Sequence, residues 1–451
     1  MNEKREFNKK LIALVLPIIF QNFMSAAVSA SDALMLGSVS QDALAAVSLA
    51  TQVQFIFSLF TATISIGTTI LVAQYWGARN RKAVEKVLGI ALKLSILIAM
   101  VFFVIALFIP AGVMRIFTSD YNMISKGSEY LRLVSVSYLF MGVSQIYLCI
   151  MKNCGRVTKS TIISSTTMVI DVILNAILIF GLLGFPKMGI AGAAITTVIS
   201  RAIELIWTVY ESMKKDSVKI RKKYVMHLDK GLYADFLRYA GPVLGNELVW
   251  GCGFAMYSVI MGHLGSDAVA ANAIAGIVKN LIACVCFGIA SGAGILVGNA
   301  IGKGNMTMAK EYGDRLCHIA AVVGIVSGGC LFVISPFVVN ITNLSAQAQE
   351  YLKMMMFISS FYMVGKALNV TTIAGIFCAG GDSKFGFICD AIVMWGITVP
   401  LGLVAAFYLR LPVIWVYLII NMDEIIKLPA VYKRYKKYKW LKDVKREEIK
   451  I

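Results

Sequence analysis

Apolar stretches of twenty or more residues recur along most of this chain, and they constrain its fold more than any other feature. Examples are residues 87–108, 131–150 and 320–339, each with at most one charged residue. A helix needs about twenty such residues to cross roughly 30 Å of hydrocarbon, and open sheet edges would leave amides unpaired in lipid. The sequence therefore predicts an all-α membrane protein.

Composition agrees with a bilayer as the solvent of this chain. Of 451 residues, 58% are hydrophobic and only 15% are charged, which is more apolar surface than a soluble domain buries. The net charge of +18 comes from Lys and Arg in short links between apolar stretches, and it indicates topology rather than nucleic-acid binding. We place twelve transmembrane helices. Basic links follow the even-numbered ones, so both termini are predicted to be cytoplasmic.

The longest basic link divides the predicted spans six and six. We therefore predict an N-lobe at 1–213 (spans one to six), a basic cytoplasmic linker at 214–232, a C-lobe at 233–432 (spans seven to twelve) and a basic cytoplasmic tail at 433–451. Aromatic residues are interleaved with the lysines of the tail, as in segments held on anionic lipid.

The two lobes share an internal repeat. An offset of 225 residues superposes Pro17 on Pro242, Gly77 on Gly302 and Asn80 on Asn305. Six spans per half keep both halves in one orientation, so two homologous six-helix bundles related by a pseudo-two-fold along the membrane normal are expected. The two prolines each remove a helical hydrogen bond, and either a hinge or a fixed bend follows from that.

Ionisable residues inside the N-lobe spans are candidates for function, because each costs at least a few kcal/mol in a membrane. Asp32 has no basic neighbour one helical turn away. Asp171 and Asn175 are one turn apart and share a helix face, where they offer oxygens to a proton or a hard cation. Arg201 and Glu204, spaced i,i+3, are predicted to neutralise one another in a structural pair.

The C-lobe offers a second set of candidates. Glu247, beside Asn246, lies deep in the seventh span without a basic neighbour in sequence. Lys366 and Asn369 lie close together on the tenth span, and we hypothesise that Lys366 pairs with Glu247. Three further acidic residues are assigned no role and are placed near the cytoplasmic interface: Asp390, Asp423 and Glu424.

Signatures of catalysis and cofactors are missing from the sequence. It has no phosphate-binding loop, no zinc motif and no nucleophile elbow, so an ATP-driven pump and an enzyme are not expected. Nine scattered cysteines and three separated histidines show no metal or disulfide spacing. We expect no cofactor and no confident metal site beyond the coupling ion.

Four motifs together resemble the multidrug and toxic compound extrusion family, the MATE transporters of the MOP flippase superfamily. They are Asp32 to Gly37 followed by Ala45-Ala46, the segment 73–78 (AQYWGA), the segment 186–197 ending at Thr197, and 379–382 (AGGD). The resemblance covers almost the whole chain and is nearest to the bacterial, firmicute-type branch. It implies a twelve-helix, two-lobe antiporter that exports organic, often cationic, compounds in exchange for protons or sodium ions.

Carried over by position, the resemblance assigns roles to individual residues. Asp32 matches the first-helix acid that the family uses for coupling. Asp171, Asn175 and Thr197 match the polar set of the fifth and sixth helices, with aspartate and asparagine exchanged. Glu247 resembles the seventh-helix glutamate of the NorM-like branch, whereas Lys366 and Asn369 stand where that branch has a tenth-helix aspartate.

The leading interpretation is an ion-coupled secondary efflux transporter that works by alternating access. The alternative is a flippase for lipid-linked saccharides or lipids of the same superfamily, which would need arginines to hold pyrophosphate. Expected partners are small organic cations or other xenobiotics and membrane lipids, but no nucleic acid. The chain is expected to be a monomer in a bacterial plasma membrane.

Overall fold

The computed structural model describes residues 2–342 and 344–446, with the backbone alone at 2–5 and 41. Helices make up nearly all of this part of the chain. The first eight are α1 (Asn2–Val39), α2 (Gln41–Gly77), α3 (Arg81–Phe108), α4 (Pro110–Phe117), α5 (Tyr121–Asn153), α6 (Val157–Phe180), α7 (Ile190–Met213) and α8 (Lys222–Met226). A 3₁₀ turn at Leu182–Gly184 follows α6.

The remaining helices are less regular. They are α9 (Lys230–Gly262), α10 (Ser266–Gly302), α11 (Met306–Ile341), α12 (Ala346–Asn369), α13 (Ser383–Asp390), α14 (Val399–Leu403), α15 (Val413–Ile420) and α16 (Asp423–Lys436). Three π-helical stretches extend them at Val370–Phe377, Ala391–Thr398 and Val404–Tyr408. Two of these begin immediately after Asn369 and Asp390, at the ends of α12 and α13.

The architecture is the predicted all-α membrane fold. Within the described residues, ten helical segments are long and apolar enough to cross a bilayer: Glu6–Val39, Asp42–Gly77, Arg81–Phe108, Tyr121–Asn153, Val157–Phe180, Ile190–Met213, Lys230–Gly262, Ser266–Gly302, Met306–Ile341 and Ser383–Tyr408. The predicted tenth and twelfth spans coincide with α12 and with α15 and α16. Both carry charged residues, which lower the mean hydropathy of the segment.

The internal repeat appears in matching caps and helix crossings. Asn80 caps α3 by accepting from the amide of Ala83 at 3.0 Å, and Asn305 caps α11 by accepting from the amide of Met308 at 2.9 Å. At the ends of α2 and α10, a side chain on Gly77 or Gly302 would collide with the backbone of the other helix. The residues in register are therefore those that begin helices or allow close crossings.

Contacts divide the chain into two compact units. Unit 1 contains the described residues up to Ile19, the segment Ala73–Arg79 and those from Arg238 on, and unit 2 contains Phe20–Val72 and Asn80–Leu237. These units differ from the lobes predicted by sequence order, because α1 and α9 each belong to both units. The end of α2 also belongs to unit 1. Residue 1 of the predicted N-lobe, residue 343 of the predicted C-lobe and residues 447–451 of the predicted tail lie outside the described part of the chain.

The basic linker predicted at 214–232 is docked on unit 2. Arg221 Nε lies 2.5 Å from Glu85 Oε2, and the hydroxyl of Tyr147 donates to the carbonyl of Val218 at 2.9 Å. Lys86 Nζ lies 2.9 Å from Asp229 Oδ2, while Asp229 Oδ1 accepts from two amides of the first turn of α9. The hydrogen bond from Lys86 lowers the pKa of Asp229. The linker is therefore held by several partners rather than loosely tethered.

Residues 437–446, which we call the C-terminal strap, pack into unit 1. Trp440 is fully buried, and Gln74 Nε2 donates to the carbonyls of Ala379 at 2.8 Å and Lys442 at 3.1 Å. The amide of Val444 donates back to Gln74 Oε1 at 2.9 Å. The sequence predicts a tail lying on lipid. This part of it is instead an element of the fold, because its tryptophan and backbone find partners inside unit 1.

Candidate functional site

The acidic residue of α1 is held by an amide of α6. Asn175 Nδ2 donates to Asp32 Oδ1 at 2.8 Å, and Asn175 is 99% buried. The two residues are 143 positions apart in sequence. Both belong to unit 2, so the second part of α1 packs with the helices that follow it.

A second carboxylate lies on the same face of α6. Asp171, one turn before Asn175, accepts from Ser200 Oγ of α7 at 2.7 Å, and Asn175 Nδ2 is 3.4 Å from its other oxygen. One amide group therefore bridges the two carboxyl groups. Its own oxygen, Asn175 Oδ1, is buried without a hydrogen-bond partner in the described structure.

These side chains line a cavity of about 480 Å³ in unit 2. The lining contains Asp32, Asp171, Asn175 and Thr197, so all four N-lobe residues singled out from the sequence come together here. Thr197 donates its hydroxyl hydrogen to the carbonyl of Ala193 at 3.0 Å. The rest of the lining is mostly small or apolar: Ser25, Val28, Ser29, Ala33, Leu36, Leu44, Val47, Ser48, Thr51, Gln54, Phe55, Ser58, Tyr130, Met168, Ala193 and Arg201.

The one guanidinium in the cavity lining is neutralised from within its own helix. Arg201 lies 2.7 Å from Glu204, and Gln145 of α5 donates to the second oxygen of Glu204 at 2.9 Å. The predicted Arg201–Glu204 pair is thereby confirmed. Because Glu204 already balances Arg201, the carboxyl groups of Asp32 and Asp171 give the cavity an acidic character that suits a proton or another cation.

The C-lobe candidates separate into a buried cluster and one residue outside it. Lys366 Nζ lies 3.2 Å from Glu424, not beside Glu247 as the sequence hypothesis has it. Asn369 also donates to Glu424, at 2.8 Å. Glu424 takes the place of Glu247 because α16 presents it directly to α12. The half-buried Glu247 has Lys366 as an electrostatic neighbour and accepts no hydrogen bond from the described residues.

Sequence reasoning missed the centre of this cluster, Lys427. Its ammonium group lies 2.9 Å from Asp390, 3.2 Å from Glu424 and 3.7 Å from Asp423. Asn246, a sequence candidate, donates to the other oxygen of Asp390 at 2.6 Å. The i,i+3 and i,i+4 spacing of the two acids before Lys427 was the available signal. All three acids are buried within unit 1, where two lysines compensate them.

Metal-ligating chemistry is not indicated by the residues that the structure describes. No group of three or more His, Cys, Asp or Glu side chains in the described chain is arranged to hold a metal ion. The nine cysteines are all unpaired.

Comparison with known proteins relates this chain to a protein family. The MatE family model matches residues 17–177 and again 242–404, one match in each half. A probable multidrug resistance protein of Bacillus subtilis, YoeA, is 28% identical, with 89% of this chain and 87% of that protein covered. A probable multidrug resistance protein NorM of Thermotoga maritima is 24% identical, with 99% and 97% covered.

Solved structures agree on the fold. A multidrug resistance MATE family transporter of the MOP superfamily in an outward-facing conformation superposes with a TM-score of 0.86 at 18% identity. The match covers 96% of this chain and 97% of that one. At this identity the likeness concerns the fold alone.

Proposed function

The chain belongs to the MatE family, and from that premise we propose that it exports organic, often cationic, compounds in exchange for protons or sodium ions. It is a multi-pass transport protein of a bacterial membrane. We propose the plasma membrane as its location, with both termini cytoplasmic, and small organic cations or other xenobiotics as its substrates. The relatives YoeA and NorM, named as probable multidrug resistance proteins, support this substrate class.

One observation carries the proposal: the cavity in unit 2 is acidic and of suitable size. Its volume of about 480 Å³ lies within the range of small-molecule pockets, roughly 300–1,000 Å³. Apolar and small side chains form most of its wall, and two carboxyl groups are its acidic members. A cationic compound with apolar bulk matches both properties.

The mechanism follows from competition for the two carboxyl groups. A substrate cation binds best when Asp32 and Asp171 are ionised. A proton neutralises one of these carboxylates and a sodium ion occupies them, so binding of either disfavours binding of the substrate. Asn175 connects the two groups, and a change at either carboxyl alters the hydrogen bonds of the other. If the inward-open and outward-open states differ in these hydrogen bonds, cation binding shifts their populations and alternating access results.

Pro17 offers a point at which the charge state of the cavity can act on the backbone of α1. Pro17 lies inside α1, two residues before the part of that helix assigned to unit 1 ends. Asp32 lies further along the same helix, in the part assigned to unit 2. We propose that the hydrogen bonding of Asp32 sets the bend of α1 at this proline, where a helical hydrogen bond is already missing.

The test is dye efflux from cells lacking their own efflux pumps, with a proton or a sodium gradient imposed in turn. The wild type should lower ethidium accumulation under one gradient, and the effective gradient identifies the coupling ion. Asp32→Asn should abolish this export at equal expression, because the amide cannot exchange a proton. Asp216→Asn, the same change at an exposed linker residue, should export as the wild type does. Equal accumulation in wild type and empty vector for several cationic dyes would refute multidrug export.

Glu247 is the corresponding candidate in the second half. Its half-buried carboxyl group lies near Lys366 without a hydrogen bond from the described residues. Together with Asn246, Lys366 and Asn369 it forms the second part of the proposed coupling machinery. Glu247→Gln in the same assay should reduce export if this part contributes, and export equal to that of the wild type would remove Glu247 from the proposal.

A further inference from the structure

The buried charged cluster of unit 1 is not explained by the acidic cavity of unit 2. It brings together Asp390, Asp423, Glu424, Lys366 and Lys427, each less than a tenth exposed. Burying an ion costs several kcal/mol unless a partner of opposite charge and good hydrogen bonds compensate it. Each member of the cluster therefore needs a partner of opposite charge, a hydrogen bond, or both.

Charges in the cluster do not balance. Three carboxylates face two ammonium groups, which leaves one negative charge in excess. Asp390 is compensated by Lys427 at 2.9 Å and by an amide hydrogen bond from Asn246 at 2.6 Å. Glu424 is compensated by Lys366 and Lys427, both at 3.2 Å, and by Asn369.

Asp423 is the least compensated member of the cluster. Its nearest ammonium group, Lys427, is 3.7 Å away, beyond hydrogen-bond distance, and Asp423 Oδ1 has no hydrogen-bond partner in the described structure. The residue is 97% buried. A buried carboxylate with one ion pair at 3.7 Å and one oxygen without a hydrogen bond keeps much of the cost of its burial.

We infer that the cluster in unit 1 is a binding site for a single proton, with Asp423 as the acceptor and the two lysines as fixed counter-ions. Uptake of one proton from water at the Asp423 carboxylate leaves two carboxylates against two ammonium groups, and its return to water restores the excess charge. Protonation also supplies a hydroxyl donor. The role of this proton in transport rests on the function proposed above, whereas its binding does not.

The surroundings explain why Asp423, rather than a neighbour, is the acceptor. The titratable and charged groups that face it are Tyr257 of α9, Tyr362 and Lys366 of α12, Asp390 of α13, and Glu424 and Lys427 of its own helix. Two of these are like charges that disfavour a third carboxylate. Glu424 and Asp390 each accept from an ammonium group and an amide, so protonating either would break bonds that Asp423 does not have.

Backbone irregularity places this site where helices are able to rearrange. The π-helical stretches Val370–Phe377 and Ala391–Thr398 begin immediately after Asn369 and Asp390. Asn369 donates to Glu424 of the cluster, and Asp390 is a member of the cluster. π-Helical turns are rare and are frequent at functional sites. A change of charge in the cluster therefore acts on two helices at the points where their hydrogen-bond pattern already departs from the α-helix.

The experiment is infrared difference spectroscopy of the purified full chain between acid and alkaline pH. The wild type should show a protonated-carboxyl band that disappears on raising the pH. Asp423→Asn should lack one such band, and Asp423→Glu should restore one at a shifted frequency. Asp216→Asn, the same change at the exposed linker aspartate, should keep the band. Bands from Asp32 and Asp171 are assigned separately with Asp32→Asn and Asp171→Asn.

Two outcomes would overturn the inference. If Asp423→Asn, recovered folded as judged by its circular dichroism, has the same carboxyl bands as the wild type, Asp423 does not hold the proton. If sodium instead stabilises the wild type against thermal unfolding and Asp423→Asn abolishes that effect, the site binds sodium. Neither readout needs transport. If the wild type exports no dye but its Asp423 carboxyl band is present, the proposed function is refuted and the proton site is not.

Discussion

Amide side chains organise both polar sites of this protein. Asn175 bridges two carboxyl groups in unit 2, while Asn246 and Asn369 each donate to a carboxylate in unit 1. An amide donor stabilises a buried carboxylate without adding a compensating charge. Such a residue fixes the position of an acid and leaves its charge free to change, which a lysine or arginine in the same place would not.

Arg201 and Glu204 show the opposite arrangement, in which two charges fix one another. Glu204 is fully buried, so Glu204→Leu should leave an unpaired guanidinium beside the cavity and destabilise the protein by about 3–5 kcal/mol. The double variant Arg201→Leu/Glu204→Leu should be substantially more stable than Glu204→Leu alone. Thermal unfolding of the purified variants measures both. A double variant as unstable as the sum of the two single changes would contradict this account.

At the scale of elements, the linker is an ordered part of unit 2. Asp229 caps α9 and contacts Lys86 of α3, so the entry into the second half of the chain is fixed to a helix of the first half. The basic residues of the linker therefore contribute contacts within unit 2. Glu211 pairs with Lys214 at the start of the linker, and Glu85 pairs with Arg221 in its middle.

Asp229→Ala should cost about 0.5–2 kcal/mol of stability, because it removes a helix cap. Asp229→Asn keeps a capping side chain and loses only the charge contact with Lys86. Since that contact lowers the pKa of Asp229, its contribution is full above about pH 4 and is lost as the pH falls through the lowered pKa.

Unfolding midpoints of the wild type, Asp229→Asn and Asp229→Ala from pH 7 down to pH 3 measure these two contributions. The difference between wild type and Asp229→Asn should shrink at the acid end. A difference that grows on acidification would show that the sign is wrong.

The C-terminal strap is the second element whose role is structural. Trp440 is fully buried and its ring stacks on Tyr435 at 5.5 Å. Trp440→Ala should therefore destabilise unit 1 by about 3–5 kcal/mol. Lys439→Ala, at the exposed neighbouring position, should change stability by no more than about 0.5 kcal/mol. Equal unfolding midpoints for the two variants would mean that the strap contributes nothing to stability.

Sequence reasoning predicted the helices, and the contacts within one helix, better than the contacts between helices. Residues one turn apart on a single helix, such as Asp171 with Asn175 and Arg201 with Glu204, were placed correctly because helix geometry alone brings them together. The bonds from Asn175 to Asp32 and from Lys366 to Glu424 join residues 143 and 58 positions apart. Helix rotation and packing decide these contacts, and apolar periodicity does not encode them in a membrane.

The acids of α16 show why the remaining part of the site was missed. Asp423 and Glu424 precede a strongly basic segment and lie a few residues from Pro429. In sequence this pattern is typical of a helix end at the membrane interface. Only the packing of α12 and α13 against α16, which brings Lys366 and Asp390 to the same point, makes the cluster a buried one.

For the whole molecule, the distribution of basic residues predicts a definite orientation in the membrane. Lys215 lies on the linker and Tyr121 follows the third span, and both are exposed. Cysteines placed at these two positions should react with a membrane-impermeant maleimide from opposite sides. Lys215→Cys should react in inverted vesicles and Tyr121→Cys in intact cells. The reverse result would place both termini outside.

The contact between Gln74 and the strap has a consequence for the order in which the chain is made. Two of the three hydrogen-bond partners of the Gln74 side chain, Lys442 and Val444, follow it by 368 and 370 positions and are therefore synthesised much later. The side chain at the end of the second helix therefore lacks these two partners until the strap has been synthesised. A chain released before residue 440 lacks the strap, so unit 1 is left without its buried tryptophan and Gln74 keeps unsatisfied polar groups.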